Sequence, residues 1–403
     1  MKWFWMAVGL SAYAQIGYLG SAFDGVAGVS GIDGCEWIAR APNDKHVYAT
    51  GSSAGSLAVF ERLASGDLAF VASYFDGMGG VDGLAGAQGV VVSPDDLDVY
   101  VTGSAEDKVA HFMRDTFTGE LTFVAAYGNE LSGPTSMIGP VRVALEPGGK
   151  HLYVSCVTSG AVVVYRRDTV TGDLTYASTV IDNVGGFDGL EGATGLAFES
   201  SGRFLHVCGS SESAIAVLER DSMTGALSMV AVYRDGLGGV DGIGGASDVA
   251  VSGRYLYATG FGDSGLAMFR RTLATGLLSF IEAEFDGVGG VDGLGGAIGV
   301  AVSPDGLQIV ASGFSDNALA VFERLGESLT FRQLRRDGES GVDGLEGVVG
   351  VVASADGDHV YATGFTDDSV AQFETLPTLG SIIATWADLA SILDLVSFVS
   401  TYP

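Results

Sequence analysis

The string FDGVGGVDGLGG at 285–296 recurs in altered form along the chain, and its spacing limits the fold more than any other feature. The first Asp or Asn of each copy stands at 24, 76, 129, 182, 235, 286 and 337, an interval of 51 to 53 residues. A fixed period of this length means that each repeat is one small unit that cannot bury its apolar face alone. Within one period, AIGVAVS, QIVASG, ALAVFE and LTFRQLRR are four short apolar runs separated by PDGL, FSDN and RLGES. Gly, Asp and Pro at those breaks are turn signals, so each period predicts a four-stranded meander. The strand KVAHFM and its counterparts AVVVYR, AIAVLE and GLAMFR have no consistently polar face, as expected where both faces of a sheet pack on neighbours.

Seven such sheets set radially predict an all-β fold, a seven-bladed β-propeller of four-stranded antiparallel blades. Residues 15–23, QIGYLGSAF, align with the fourth-strand segment LLSFIEAEF, while the last repeat lacks a fourth strand after SVAQFE. The N-terminal strand is therefore expected to complete the seventh blade and close the ring, leaving no unpaired seam. The propeller is assigned to 15–375.

On this layout each Gly/Asp string joins the outer strand of one blade to the inner strand of the next across the top face. Glycine permits positive φ there, and Asp side chains can cap nearby N–H groups. A second use is open: the pairs Asp76/Asp82, Asp182/Asp188, Asp235/Asp241, Asp286/Asp292 and Asp337/Asp343 can offer oxygens to Ca²⁺. Asp107, Asp263, Asp316, Asp367 and Asp368 from the second-to-third strand loops are expected on the same face.

The net charge is -29, which argues against nucleic acid and anionic lipid as partners. The three cysteines Cys35, Cys156 and Cys208 form no disulfide framework, and no Cys/His spacing suggests zinc. His46, His151 and His359 begin second strands and are expected to be partly exposed, whereas His111 and His206 are expected to be packed. Arg332, Arg335 and Arg336 are expected along a solvated outer edge.

SPDGLQIVASGFSDNALAVFERLGESLTF, together with SPDDLDVYVTGSAEDKVAHFMRDTFTGELTFV, resembles the lactonase-type seven-bladed propellers, the 6-phosphogluconolactonase-like and YVTN-repeat proteins. The resemblance runs over 15–375 and is carried by SPDG, VYVTG and a TG before the fourth strand. It implies the propeller fold and sugar-lactone hydrolysis. Enzymes of that family are similar in carrying His-x-His near the start of an inner strand. In the matching stretch SGPTSMIGPVRVALEPGGKHLY those positions are Gly139 and Val141, and no string carries a histidine.

A site for one ligand on a symmetric ring should break the symmetry. The inner-strand starts GCEWIA, GAQGVV, GPVRVA, GATGLA, GASDVA, GAIGVA and GVVGVV differ most at Glu36, Trp37, Gln88, Arg142 and Asp248. These five are the candidate ligand-binding residues at the channel mouth. Arg142 can hold a carboxylate or phosphate through its forked donors. Glu36 or Asp248 can act as a general base if its pKa is raised. The competing reading is a charge network that plugs the channel.

The first 14 residues read as a secretory signal, with Lys2, an apolar run and Ala12-Tyr13-Ala14, which places the protein outside the cytoplasm as a secreted, periplasmic or surface protein. Residues 376–403 read as an apolar helical tail, with Ile382, Trp386, Leu389, Leu393 and Val396 at helical spacing. Membrane association is expected only through that tail. Three functions stay open. The first is a non-enzymatic exported propeller that binds a protein or carbohydrate-like ligand through its acidic top face, with Ca²⁺ as the only candidate cofactor. The second is a lactone hydrolase, with Glu36, Arg142 and Asp248 as catalytic candidates, and the third is an assembly subunit docking through the tail.

Overall fold

The computed structural model describes residues 15–129 and 136–376. The signal segment and all but the first residue of the tail lie outside the described residues. Among the described residues, 28 strands, β1 to β28 in chain order, form seven four-stranded antiparallel sheets. Six sheets are made of consecutive strands. The seventh has the order β1-β28-β27-β26, with β1 at Gln15–Phe23, β26 at Val348–Ala353, β27 at His359–Gly364 and β28 at Ser369–Leu376. The N-terminal strand thus completes the last blade as the repeat pattern requires, pairing Ile16 with Thr375 and Phe23 with Ser369.

The innermost strands are β2 (Cys35–Arg40), β6 (Ala87–Val92), β10 (Pro140–Leu145), β14 (Ala193–Phe198), β18 (Ala246–Ser252), β22 (Ala297–Val302) and β26. Each packs beside the next, and β26 packs beside β2, so the ring is closed. The core sits between blades rather than within them. Leu57 and Val59 of the first blade pack with Leu84, Val99 and Val101 of the second.

The Gly/Asp strings take part in that core. Ile32, Leu84, Met137, Leu190, Ile243, Leu294 and Leu345 all have no exposed surface. Burying such a side chain is worth about 1.5–3 kcal/mol relative to leaving it in water. In the string VDGL the glycine makes the turn that drives the leucine inward. Gly83 has φ +86°, and a Cβ there would meet Ala126 Cβ at 3.1 Å and Lys108 Cβ at 3.2 Å. Side-chain bulk is disfavoured at such a position on both counts.

The opposite face corrects one expectation. His46, His151 and His359 are buried, at 1%, 2% and 8% exposure. The fourth-strand hairpin of the following blade covers each ring: Gly119 lies on His46, Gly225 on His151 and Gly66 on His359. The same glycines accept from buried tyrosines, Tyr48 Oη to Gly119 O at 3.1 Å and Tyr361 Oη to Gly66 O at 3.0 Å. Arg332, Arg335 and Arg336 are also engaged rather than simply solvated: Arg332 with Glu323, Arg335 with the Ile16 carbonyl, Arg336 with Asp292.

Candidate functional site at the channel mouth

Each inner strand carries an irregularity where it leaves the top face, with one more residue than its partner strand. It falls between Cys35 and Ile38 in β2, Pro140 and Arg142 in β10, and Ala246 and Val249 in β18. Such a bulge bends the strand and re-aims the side chains beside it. At the equivalent position the seven blades carry Trp37, Gly89, Arg142, Gly195, Asp248, Gly299 and Gly350. The three residues with side chains alternate with glycines. A Cβ on Gly89 would stand 2.9 Å from Arg142 Cα, and one on Gly195 2.6 Å from Asp248 Cα. The glycines are therefore the clearance that lets an inner strand approach a neighbour that carries a side chain at this position. The sequence singled out the three side chains; the part played by the glycines between them emerges only in the ring.

Arg142 reaches from the third blade past the second to the first. Its guanidinium lies over the Trp37 ring at 3.5 Å. Stacking of this kind is worth about 0.5–2 kcal/mol, more when desolvated. Arg142 Nε is buried without a hydrogen-bond partner, and among the described residues Arg142 makes no salt bridge. Glu36 and Asp248 thus make no direct ion pair with Arg142 among the described residues, although both carboxyls feel its charge. Burial works against the Arg142 charge, while Asp248 and Glu36 act from a distance to sustain it.

Asp248 is 6% exposed and accepts from Val300 N at 3.1 Å. Burial raises its carboxyl pKa to about 6, against the lowering effect of Arg142. Glu36 is half-buried and is also shifted upward by burial, partly countered by Arg142 and by Ser52. Gln88 is half-buried on β6, and its carbonyl accepts from Thr50 Oγ1 at 2.7 Å. The mouth thus gathers one unsatisfied guanidinium donor, an aromatic face and two carboxyls that take up protons more readily than usual. That set can polarise a carbonyl and deprotonate a water.

The Asp strings form a second ring on the same face. The first residue of each string caps its own loop: Asp24, Asp76, Asp182, Asp235, Asp286 and Asp337 each accept the N–H eight residues on, as Asp76 does from Leu84 at 3.0 Å. Asn129 does the same for Met137 at 3.1 Å. The second Asp is more exposed; Asp82 pairs with Lys108, Asp188 with Arg234 and Asp292 with Arg336, each at 2.6 Å.

Among the described residues, carboxylate oxygens within 4.8 Å of one another cluster at Asp76/Asp82/Glu106, Asp182/Glu191/Glu212, Asp235/Asp241/Asp263, Asp286/Asp292/Asp316 and Asp337/Asp343/Asp367. Four of the five expected pairs come together, joined by a residue of the second-to-third strand loop. Asp188 is replaced in its cluster by Glu191. Asp107 and Asp368 instead cap Gly139 and Gly34, both at 2.7 Å. Burial and the neighbouring Asp316 raise the pKa of Asp286, and burial and Asp263 act likewise on Asp235.

Comparison with known proteins gives this geometry a family. The family described as "Lactonase, 7-bladed beta-propeller" matches residues 33–185 and 188–289, which include all five channel-mouth candidates. A 6-phosphogluconolactonase of Formosa agariphila is 30% identical over 134 residues, 33% of this chain and 36% of that protein. The chain thus matches little more than a third of that relative's length. Among solved structures, the periplasmic gluconolactonase of Pseudomonas aeruginosa is similar with a TM-score of 0.62 at 20% identity, over 80% of this chain and 95% of the other. Hydrazine synthase of Kuenenia stuttgartiensis gives 0.61 at 15% identity, over 88% and 100%. Likeness at that level is likeness of fold, and the fold carries unrelated chemistries. The chain belongs to the seven-bladed β-propeller lactonase family.

Proposed function

We propose that this protein hydrolyses a sugar lactone at the mouth of its axial channel. The observation that carries this reading is the buried, unpartnered Nε of Arg142, on the same ring of inner-strand starts as the Asp248 carboxyl, whose pKa burial raises to about 6. A lactone carbonyl oxygen accepts from the guanidinium, which also stabilises the charge that develops on that oxygen. Asp248, ionised at neutral pH, takes a proton from the attacking water. The ring C–O bond then breaks, and the ring oxygen leaves as the hydroxyl of the open acid, taking up the proton. The Trp37 face holds Arg142 in place. This chemistry uses groups other than the His-x-His that the family resemblance implies, since Gly139 and Val141 stand at those positions.

Glucono-δ-lactone hydrolysis, corrected for the spontaneous rate, tests the reading. Arg142→Ala is expected to lower kcat by about 10²–10³-fold, the usual loss of one oxyanion donor. A raised pKa means that Asp248 is protonated and inactive as a base below about 6, so kcat/KM should climb with pH through that value and then level. Wild-type protein with no rate above background, or an unchanged rate in the variant, would overturn it.

A second reading, a non-catalytic binding scaffold with a cation-stabilised acidic face, is favoured by the five carboxylate clusters. A bound ion stabilises the native state by RT ln(1 + [L]/Kd) at each site. Calorimetry should then show a Tm that rises with Ca²⁺ and falls back with EDTA. The same Tm in both buffers would dispose of the cation.

A further inference from the structure

On the face opposite the channel mouth, a cavity of about 520 Å³ opens between the third and fourth blades. It is lined by Lys150, His151, Arg166, Arg167, Asp168, Thr169, Ser222 and Met223. Here the sevenfold pattern breaks in charge. The third-strand position at Arg166 is Glu61, Glu219, Glu323 and Glu374 in four other blades, each opposite the first residue of its second strand. In the fourth blade the acid neutralises the cation before that strand: Arg203 pairs with Glu219 at 2.8 Å. In the fifth blade Arg270 stands at the position, but Glu327 of the next blade pairs with it at 2.9 Å. In the third blade Arg166 replaces the Glu beside Lys150, and neither forms a salt bridge among the described residues.

Of the other charges facing the cavity, Asp168 acts on Arg166 without forming a salt bridge to it. Arg167 is buried and engaged by Asp95 and Asp98. Asp168 lines the rim, but its Oδ1 accepts from Val170 N at 2.8 Å and Thr171 N at 3.3 Å. His151 has its pKa lowered by burial and by Arg220, with Arg166 and Lys150 adding to the effect, so its ring is neutral. In a chain with 49 acidic and 20 basic residues, the cavity thus carries two cations that form no salt bridge among the described residues.

We propose that this cleft is an oxyanion site that takes a phosphate group between Lys150 and Arg166, with the Thr169 and Ser222 hydroxyls as further donors. Guanidinium and ammonium groups together suit a small anion of high charge density. The cleft lies at the opposite ends of the strands from Arg142 and Asp248, so the inference does not depend on the hydrolytic reading.

Titration calorimetry of the whole protein with inorganic phosphate, at fixed ionic strength and against chloride alone, tests it. Saturable binding with one site per chain is expected. Arg166→Glu restores the residue that four other blades carry and should fold well, and its Kd for phosphate should rise at least tenfold. Lys150→Gln should weaken binding several-fold. Sulfate binding equally well would retain the site and widen its ligand to oxyanions in general. No saturable phosphate binding, or unchanged affinity in Arg166→Glu, would overturn the proposal.

Discussion

A single side chain, Thr259, ties the candidate base to the ring. Asp248 N–H donates to Thr259 Oγ1 at 3.1 Å, and that hydroxyl donates to Ile298 O of the next blade at 2.5 Å. Thr50, Thr102, Ser312 and Thr363 bridge neighbouring blades in the same way. The fourth blade has Cys208 at this position, and there Thr194 Oγ1 reaches Ala246 O at 3.1 Å instead. Thr259→Val keeps the shape of the side chain and removes the hydroxyl. It leaves a buried N–H and a buried carbonyl unsatisfied, at a cost of about 1–3 kcal/mol. Denaturant melts should show that loss, and if Asp248 is the base, kcat should fall as its backbone loosens. A variant as stable as wild type would mean that the hydroxyl bridge contributes nothing net.

The elements were largely legible in the sequence because their signals are local. SPDGL and the Gly/Asp strings mark turns by backbone chemistry, and the apolar runs between them are too short for anything but strands. The deviating residues at the inner-strand starts were legible too, since alignment of the repeats exposes Trp37, Arg142 and Asp248 directly. Contacts between blades were not. His46 follows a turn and looks half-solvated in its own strand, yet the hairpin that covers it carries Gly119, more than seventy residues away. The absence of an ion pair at Arg142 was hidden for the same reason. Sequence puts Arg142, Glu36 and Asp248 in one ring, but the distances across the ring depend on how closely Gly89 and Gly195 let the strands approach. Periodicity reveals which residues share a position, and packing decides which of them touch.

At the scale of the molecule, stability rests on closing the circle, because the core lies between blades and an open ring exposes two of its faces. The closing strand is held on three sides. β1 pairs with β28 along its length, with Tyr18 and Phe373 in edge contact at 5.6 Å. Ile16 N donates to Gln333 Oε1 at 2.8 Å, and Arg335 Nε donates to Ile16 O at 2.8 Å, fastening the strand to the sixth blade. Tyr18 Oη donates to Asp343 O at 2.9 Å in the adjoining Asp string. Removing residues 1–23 would free the edge of β28 and uncover Phe373 and Val360, both buried in the cluster that contains Ile16. An unpaired, apolar strand edge recruits other chains. The truncated protein is therefore expected to melt at a lower temperature and to form larger assemblies on gel filtration than the full chain does, and a peptide of residues 15–23 added in trans should reverse both changes. If the truncated chain elutes and melts as the full chain does, ring closure through β1 is not what holds the propeller together.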